Sequence, residues 1–356
     1  LKKLTKILAL GLAAALLLAG CAIKTPDTVG TVGSTSIPAG VYLLAQYEAF
    51  VQAKALASET DVNAVLKATI TDEDGNETTG ADYVSAKTLE GVYRYAAAEQ
   101  KYAEMGGELS ESDLALITEQ VDTQWESMED TYTANGIGYQ SLMAWAENSY
   151  KQEALLDMLY GQDGTEPVSD ADLTAYAEEN FFRFSYLLLP YFDMSTFSTL
   201  DEDQQAQVLE MAQEAAGKTT SSEDLQAMAE EYLPQVGELL GNGMGADSAA
   251  NYMVTGALVN YDTLTSYLGE DAAEQVKAMA EGEVRALEST GYNYGAVVVV
   301  KEAVFNDTTT LDTLRDDALW GFKYDELQQQ LADEGAAAAA LDQSAMNTYS
   351  PRKIKG

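Results

Sequence analysis

The 356-residue chain contains no histidine, one cysteine, six prolines, and 20 lysines and arginines against 58 acidic residues. Each shortage closes off a class of chemistry. Without imidazole the usual general base near neutral pH and the commonest metal ligand are missing. Histidine-based triads, histidine-ligated zinc hydrolysis and two-histidine sites are therefore excluded. A single cysteine cannot close an intrachain disulfide or build a thiolate metal site. The formal net charge of −38 argues against nucleic acid and anionic lipid surfaces as partners.

What is present is ample core material. Hydrophobic residues make up 46% of the chain, and 21 residues are tyrosine, so the charge does not imply disorder. The length predicts two domains, or three.

The cysteine, Cys21, ends an apolar run. Lys2, Lys3 and Lys6 precede an Ala/Leu-rich segment from Ile7 to Leu18, which closes in Leu18-Ala19-Gly20-Cys21. A basic start, a short apolar stretch and small residues describe a secretory signal. The run is short of the roughly 20 apolar residues that a comfortable bilayer span needs. The ending looks like a bacterial lipobox, which implies cleavage before Cys21 and diacylglycerol on its thiol. A plain secretion signal and an uncleaved anchor are the blander readings. Two acyl chains would anchor firmly, since one gives only marginal binding. A thiol spent on lipid is also lost as a nucleophile.

Beyond residue 22 the pattern is helical as far as a break at "GQDGTEPVS". A helix is expected near Pro38, another follows the polar turn "DEDGNE", and a capped one starts at Ser110 with Asp113 three residues on. The turn resembles a calcium loop only superficially. Asp72, Asp74 and Asn76 would put Glu77 where that loop needs glycine and Tyr83 where it needs the bidentate glutamate. Leu142, Trp145, Tyr150 and Leu155 recur at roughly helical spacing and are read as core. After the break, a capped helix at Ser169 runs into "FFRFSYLLLPY", a buried strand ended by Pro190. Two helical segments, a loose Gly-rich stretch "VGELLGNGMGADSA" and a short helix ending near Gly282 follow. The Gly-rich stretch has no lysine and lacks the spacing of a phosphate loop. "YGAVVVVKEAVF" is a strand whose unbroken valines predict cover on both faces. A helix from about 311 to 335 is expected to pack on the amino-terminal helical arm, and "SAMNTYSPRKI" to add an edge strand. No cofactor or metal is expected.

This order resembles the exported peptidyl-prolyl isomerase and chaperone lipoproteins of Gram-positive bacteria, the PrsA/SurA-like foldases. The likeness rests on "VGTVGSTSIPAGVY", "AAAEQKYAEMGGELSESDL", "VSDADLTAYAEENFFRFSYLLLPY", "SSEDLQAMAEEY" and "MAEGEVRALESTGYNYGAVVVVKEA". It implies an α+β fold, with a helical chaperone-like domain from both chain ends and an inserted small parvulin-like α+β domain. The boundaries it implies are 1–21 for the signal, 22–164 for the helical domain, 165–308 for the insert and 309–356 for the closing helix and tail. The family's histidines are replaced, one by Tyr186 on the first strand of the insert and one by Val297 on the last. Tyr186 is therefore the one weak catalytic candidate, and Cys21 the lipidation site.

The resemblance implies a membrane-anchored extracytoplasmic chaperone that binds unfolded or partly folded exported proteins on the outer face of the cell membrane. Self-association as a homodimer is left open. Prolyl isomerisation needs no proton transfer, only a pocket for the twisted amide, and a valine supplies no polar contact to it. Weak or absent isomerase activity is therefore expected, with an active isomerase as the alternative. Two further functions compete with these. One is a solute-binding lipoprotein, which would need more alternating strand and helix units; the second is a structural envelope protein.

Overall fold

The computed structural model describes residues 26–72, 75–193, 195, 197–305 and 310–355. The architecture is mixed α+β, with helical segments flanking a central sheet. In chain order the first elements are β1 (Thr28–Val32), β2 (Thr35–Pro38), α1 (Ala39–Ala57), α2 (Val62–Lys67), β3 (Thr69–Thr71) and β4 (Glu77–Thr79). Long helices follow, α3 (Gly80–Glu104), α4 (Glu111–Ala134) and α5 (Tyr139–Tyr160), then α6 (Asp170–Asn180) and β5 (Phe181–Pro190). Next come β6 (Phe192–Asp193), β7 (Ser198–Thr199), α7 (Glu202–Lys218), α8 (Leu225–Leu240) and α9 (Ala249–Tyr252). After these run β8 (Met253–Asn260), α10 (Tyr261–Leu268), α11 (Glu270–Ala278), β9 (Val284–Ser289) and β10 (Gly295–Glu302). The chain ends with α12 (Thr310–Ala337), β11 (Ala339–Leu341) and α13 (Gln343–Thr348).

Contacts divide the described residues into two compact units, 26–155 with 326–355 and 156–325. The edges fall inside α5 and α12, whereas the boundaries expected from the sequence lie in the loops at 164/165 and 308/309.

Unit 1 is helical around a small sheet ordered β11-β1-β2. Pro38 caps α1 with extended backbone and no side-chain bond, where its missing N–H costs nothing. Ser110 and Asp113 form a reciprocal capping box at the start of α4, both main-chain bonds being 3.1 Å. Gly80 opens α3 where a Cβ would lie 2.0 Å from the Val65 carbonyl oxygen, so only glycine allows that approach. Apolar clusters fill the unit, one gathering Leu44, Ile117, Val121, Tyr132 and Leu142 between α1, α4 and α5.

Unit 2 holds an antiparallel sheet ordered β8-β5-β10-β9. The valine run is covered on both faces, as its unbroken pattern implies. Ala296, Val298 and Val300 face a core with Val208 and Ala212 of α7 and Leu233 and Val236 of α8. Val297 and Val299 face Leu264 and Leu268 of α10 and Val276 of α11. Buried Ser185 is satisfied at a bulge between β5 and β8. It donates to Glu302 at 2.5 Å and accepts from the Gly256 N–H at 2.8 Å, and Gly256 has φ +63°.

Four expectations are corrected. The Gly-rich stretch expected to be loose is helical at its start, because the helix before it runs through Pro234 to Leu240. A proline inside a helix costs about 3 kcal/mol, and burial of Leu233, Val236 and Leu240 offsets it. Strands β8 and β9 have no counterpart in the sequence expectations. Both are edge strands, and β8 is half-exposed with a glycine inside it. The edge strand at the chain's end is Ala339–Leu341, paired with β1. The stretch after it is helical because Asp342 caps the Ser344 and Ala345 N–H groups at 2.8 and 3.2 Å. Finally, the contacts of α12 divide. Its first half meets α6 in unit 2, with Arg315 2.9 Å from Asp170 and the Phe322 ring 5.3 Å from that of Tyr176. Its second half meets α3 in unit 1. There Lys101 lies 2.8 Å from Glu334, and a Cβ on Gly335 would stand 2.3 Å from the Tyr93 oxygen.

Candidate functional site

Alternation along β5 sends Phe182, Phe184 and Tyr186 to one face, where they join the cluster containing Val297. Tyr186 lies directly opposite Val299, and Val297 is two residues further along the same face of β10. The two positions singled out from the sequence are thus brought into one layer. Val297 is fully buried between Leu188 of β5 and Leu287 of β9. It presents no polar atom beyond its paired backbone.

The Tyr186 ring stacks on Phe184, centroids 5.9 Å apart. Its hydroxyl accepts a hydrogen bond from Asn293 Nδ2 at 3.0 Å. Sequence reasoning misses Asn293, because it lies in the loop between β9 and β10. That loop is stitched to α10: the Tyr292 N–H donates to Ser266, the Asn293 N–H to Tyr267, both at 2.9 Å. Two exposed tyrosines are neighbours of the site, Tyr267 at 37% and Tyr292 at 82% exposure. The only available signal is the turn-like "TGYNYG".

Burial pushes the Tyr186 hydroxyl above the ordinary tyrosine value. The Asn293 bond opposes this, and the neighbouring Tyr267 and Tyr292 add to it. The phenol therefore stays protonated near neutral pH. At the end of the same strand pair, Tyr191 is fully buried with its hydroxyl unpartnered. Burial first, then Glu288 and Tyr294, push it up to about 12. The Tyr294 ring packs edge-on against it at 5.5 Å. A hydroxyl and a carboxamide can exchange hydrogen bonds with a bound amide, but they form no nucleophile–base pair.

Unit 1 carries a hollow of about 290 Å³ bordered by Leu43, Tyr47, Gly136, Tyr349 and Ile354. On the outer face of α4, Leu114 and Leu116 are exposed, and an open depression of about 490 Å³ runs from Leu116 to Ser127. Among the described residues no three Asp, Glu, Cys or His side chains group so as to hold a metal ion. Nor is any helix among them long and apolar enough to cross a membrane. Cys21 and Asp74 lie outside the described residues.

Fold and site together define a two-unit α+β protein with an aromatic, protonated site on its sheet. No protein-family model matches the chain, and no curated protein matches it. Among solved structures it is similar to the foldase protein PrsA from Streptococcus pneumoniae. Identity is 12% and the TM-score 0.39, over 80% of this chain and 100% of that one. It is also similar to the peptidylprolyl isomerase PrsA from Bacillus cereus, at 12% identity and TM-score 0.29 over 82% and 100% of the two chains. For PrsA from Bacillus subtilis the figures are 16% identity and 0.24 over 80% and 92%.

Proposed function

We propose that this protein is a lipid-anchored extracytoplasmic foldase that binds unfolded exported chains and isomerises their prolyl bonds weakly or not at all. The anchor is Cys21, placed by the lipobox spacing, and the site of action is the outer face of the membrane. The observation that carries the reading is the layer around Tyr186. Exposed Tyr267 and Tyr292 lie close to Tyr186, whose ring belongs to an apolar layer, and large amphipathic rings bind segments of varied sequence at low entropic cost. That layer has a valine where the family resemblance calls for a histidine. An unassisted prolyl bond faces a barrier of about 20 kcal/mol. Lowering it needs polar contacts to the twisted amide that Val297 cannot make. An active isomerase is favoured by one observation alone, the Tyr186–Asn293 pair, which has a hydroxyl and an amide to offer.

Prolyl-isomerase and aggregation-suppression assays on one sample test this reading. The expected result is suppression at stoichiometric protein with a prolyl rate near background. A parvulin-like rate that Tyr186→Phe abolishes would make the tyrosine a working replacement and overturn the degenerate-site half. No suppression would overturn the client-binding half.

A further inference from the structure

The segment after α13 is held by unit 1 as a bound peptide is held. Pro351–Lys353 make one 3-10 turn, and Ile354 then takes extended backbone with φ −57° and ψ 138°. The Ile354 side chain is 8% exposed and enters a cluster with Phe50, Leu66, Ile70 and Tyr83. At the next residue both main-chain polar atoms are clamped by one carboxamide. The Lys355 N–H donates to Asn135 Oδ1 at 2.8 Å, and Asn135 Nδ2 donates to the Lys355 carbonyl oxygen at 3.0 Å. An adjoining strand would offer an extended chain the same donor and acceptor.

The clamp is built by its own turn, independently of what it holds. Asn135 ends α4, its N–H bonded to the Thr131 carbonyl at 3.2 Å and its Nδ2 to the same oxygen at 2.8 Å. Gly136, at φ +78°, turns the chain into α5. The held segment is selected at one position only. Arg352, Lys353 and Lys355 are exposed, and no ion pair among the described residues involves them. Only the aliphatic side chain is enclosed. The hollow of about 290 Å³ beside Ile354 leaves room for a further apolar side chain.

We infer that this groove is a peptide-binding site which residues 350–355 cover in cis. Its ligand is an extended basic segment of another polypeptide, with an aliphatic residue in the place of Ile354 and any residue but proline in that of Lys355. Charge favours such a ligand, because the protein's net charge is −38 and the covering segment is basic. The inference rests on the client-binding reading and gives that reading a place and a chemistry.

The probe is a fluorescein-labelled peptide, Ser-Pro-Arg-Lys-Ile-Lys-Gly, titrated by anisotropy into the full chain. Ile354→Ala loosens the cover and leaves the rest of the groove, so the peptide is expected to bind this variant about tenfold tighter than wild type. The same peptide with alanine in place of its isoleucine should bind Ile354→Ala about tenfold more weakly. Equal affinity for wild type and Ile354→Ala would overturn the inference, as would equal affinity of the two peptides. Should Ile354→Ala loosen the fold, wild type supplies the second readout. Saturating peptide should accelerate hydrogen exchange at the Lys355 amide, and unchanged exchange overturns the inference. A concentration-dependent dimer abolished by Ile354→Ala would make the occupant a second copy and overturn the assignment to a foreign chain. Aggregation suppression without peptide binding sinks this site and leaves the foldase reading standing; loss of both sinks both.

Discussion

Glu48 gives the sharpest test of how unit 1 is built. It lies on α1 within the helical core, half-buried, and its carboxyl is pushed up from 4.5 to about 7. Burial is the main cause. Arg94 on α3 and a hydrogen bond with Trp145 on α5 pull the other way and lose. Arg94 also serves Glu90 at 3.4 Å, and the remaining titratable neighbour, Tyr132 on α4, stays protonated because burial raises it. Between pH 4.5 and 7 the folded state therefore binds more protons at Glu48 than the unfolded state. Stability falls as pH rises through that window. At about 1.4 kcal/mol per unit, the shift from 4.5 to about 7 is worth about 3 kcal/mol once Glu48 is ionised. Glu48→Gln keeps the shape and an acceptor for Trp145 while removing the charge. Urea unfolding followed by tryptophan fluorescence should find the variant more stable by about 2–3 kcal/mol at pH 8, with the two proteins converging below pH 4.5. Asp113, Asp224 and Glu283 are shifted down by hydrogen bonds. Their opposite pH dependence is common to both proteins and cancels in the difference. A gap that does not change with pH, or a less stable Glu48→Gln at pH 8, would mean that the Arg94 attraction outweighs desolvation and would refute the reasoning.

Ser110→Ala removes one half of the capping box on α4 and should lower the stability of unit 1 by about 1 kcal/mol, read as a shift in urea midpoint with unchanged slope. Cys21→Ala should release the protein from the membrane fraction; intact-mass analysis of the mature wild type checks the same point, and an unlipidated N-terminus elsewhere contradicts it.

Local signals are readable wherever chemistry and structure coincide within a few residues. Ser110 with Asp113 and Ser169 with Asp172 cap helices because each oxygen reaches an N–H three residues on. The valine run at 296–300 is a central strand because both its faces are covered. Edge strands are not readable in this way. β8 carries Gly256, and β9 carries Arg285 and Glu288, so neither shows clean alternation; the partner of β8, β5, also lies far back in the sequence. Pro234 misleads for a related reason. Its helix-breaking cost is local, while the burial that outweighs it depends on the sheet beneath α8.

The candidate sites divide along the same line. Tyr186 and Val297 can be named in advance only through the family resemblance, which marks one position on each of two readable strands. Their partner Asn293 cannot, nor can Asn135, since an asparagine in a turn ordinarily signals only that a turn is there. In both places the turn is fixed by its own backbone bonds, to α10 in one case and to the end of α4 in the other. The carboxamide is thereby freed to point at something else. At Asn293 it meets the Tyr186 hydroxyl; at Asn135 it meets main-chain atoms, and a group so aimed recognises a polypeptide without recognising its sequence. The proposed client-binding role needs recognition of that kind, and composition alone does not reveal it.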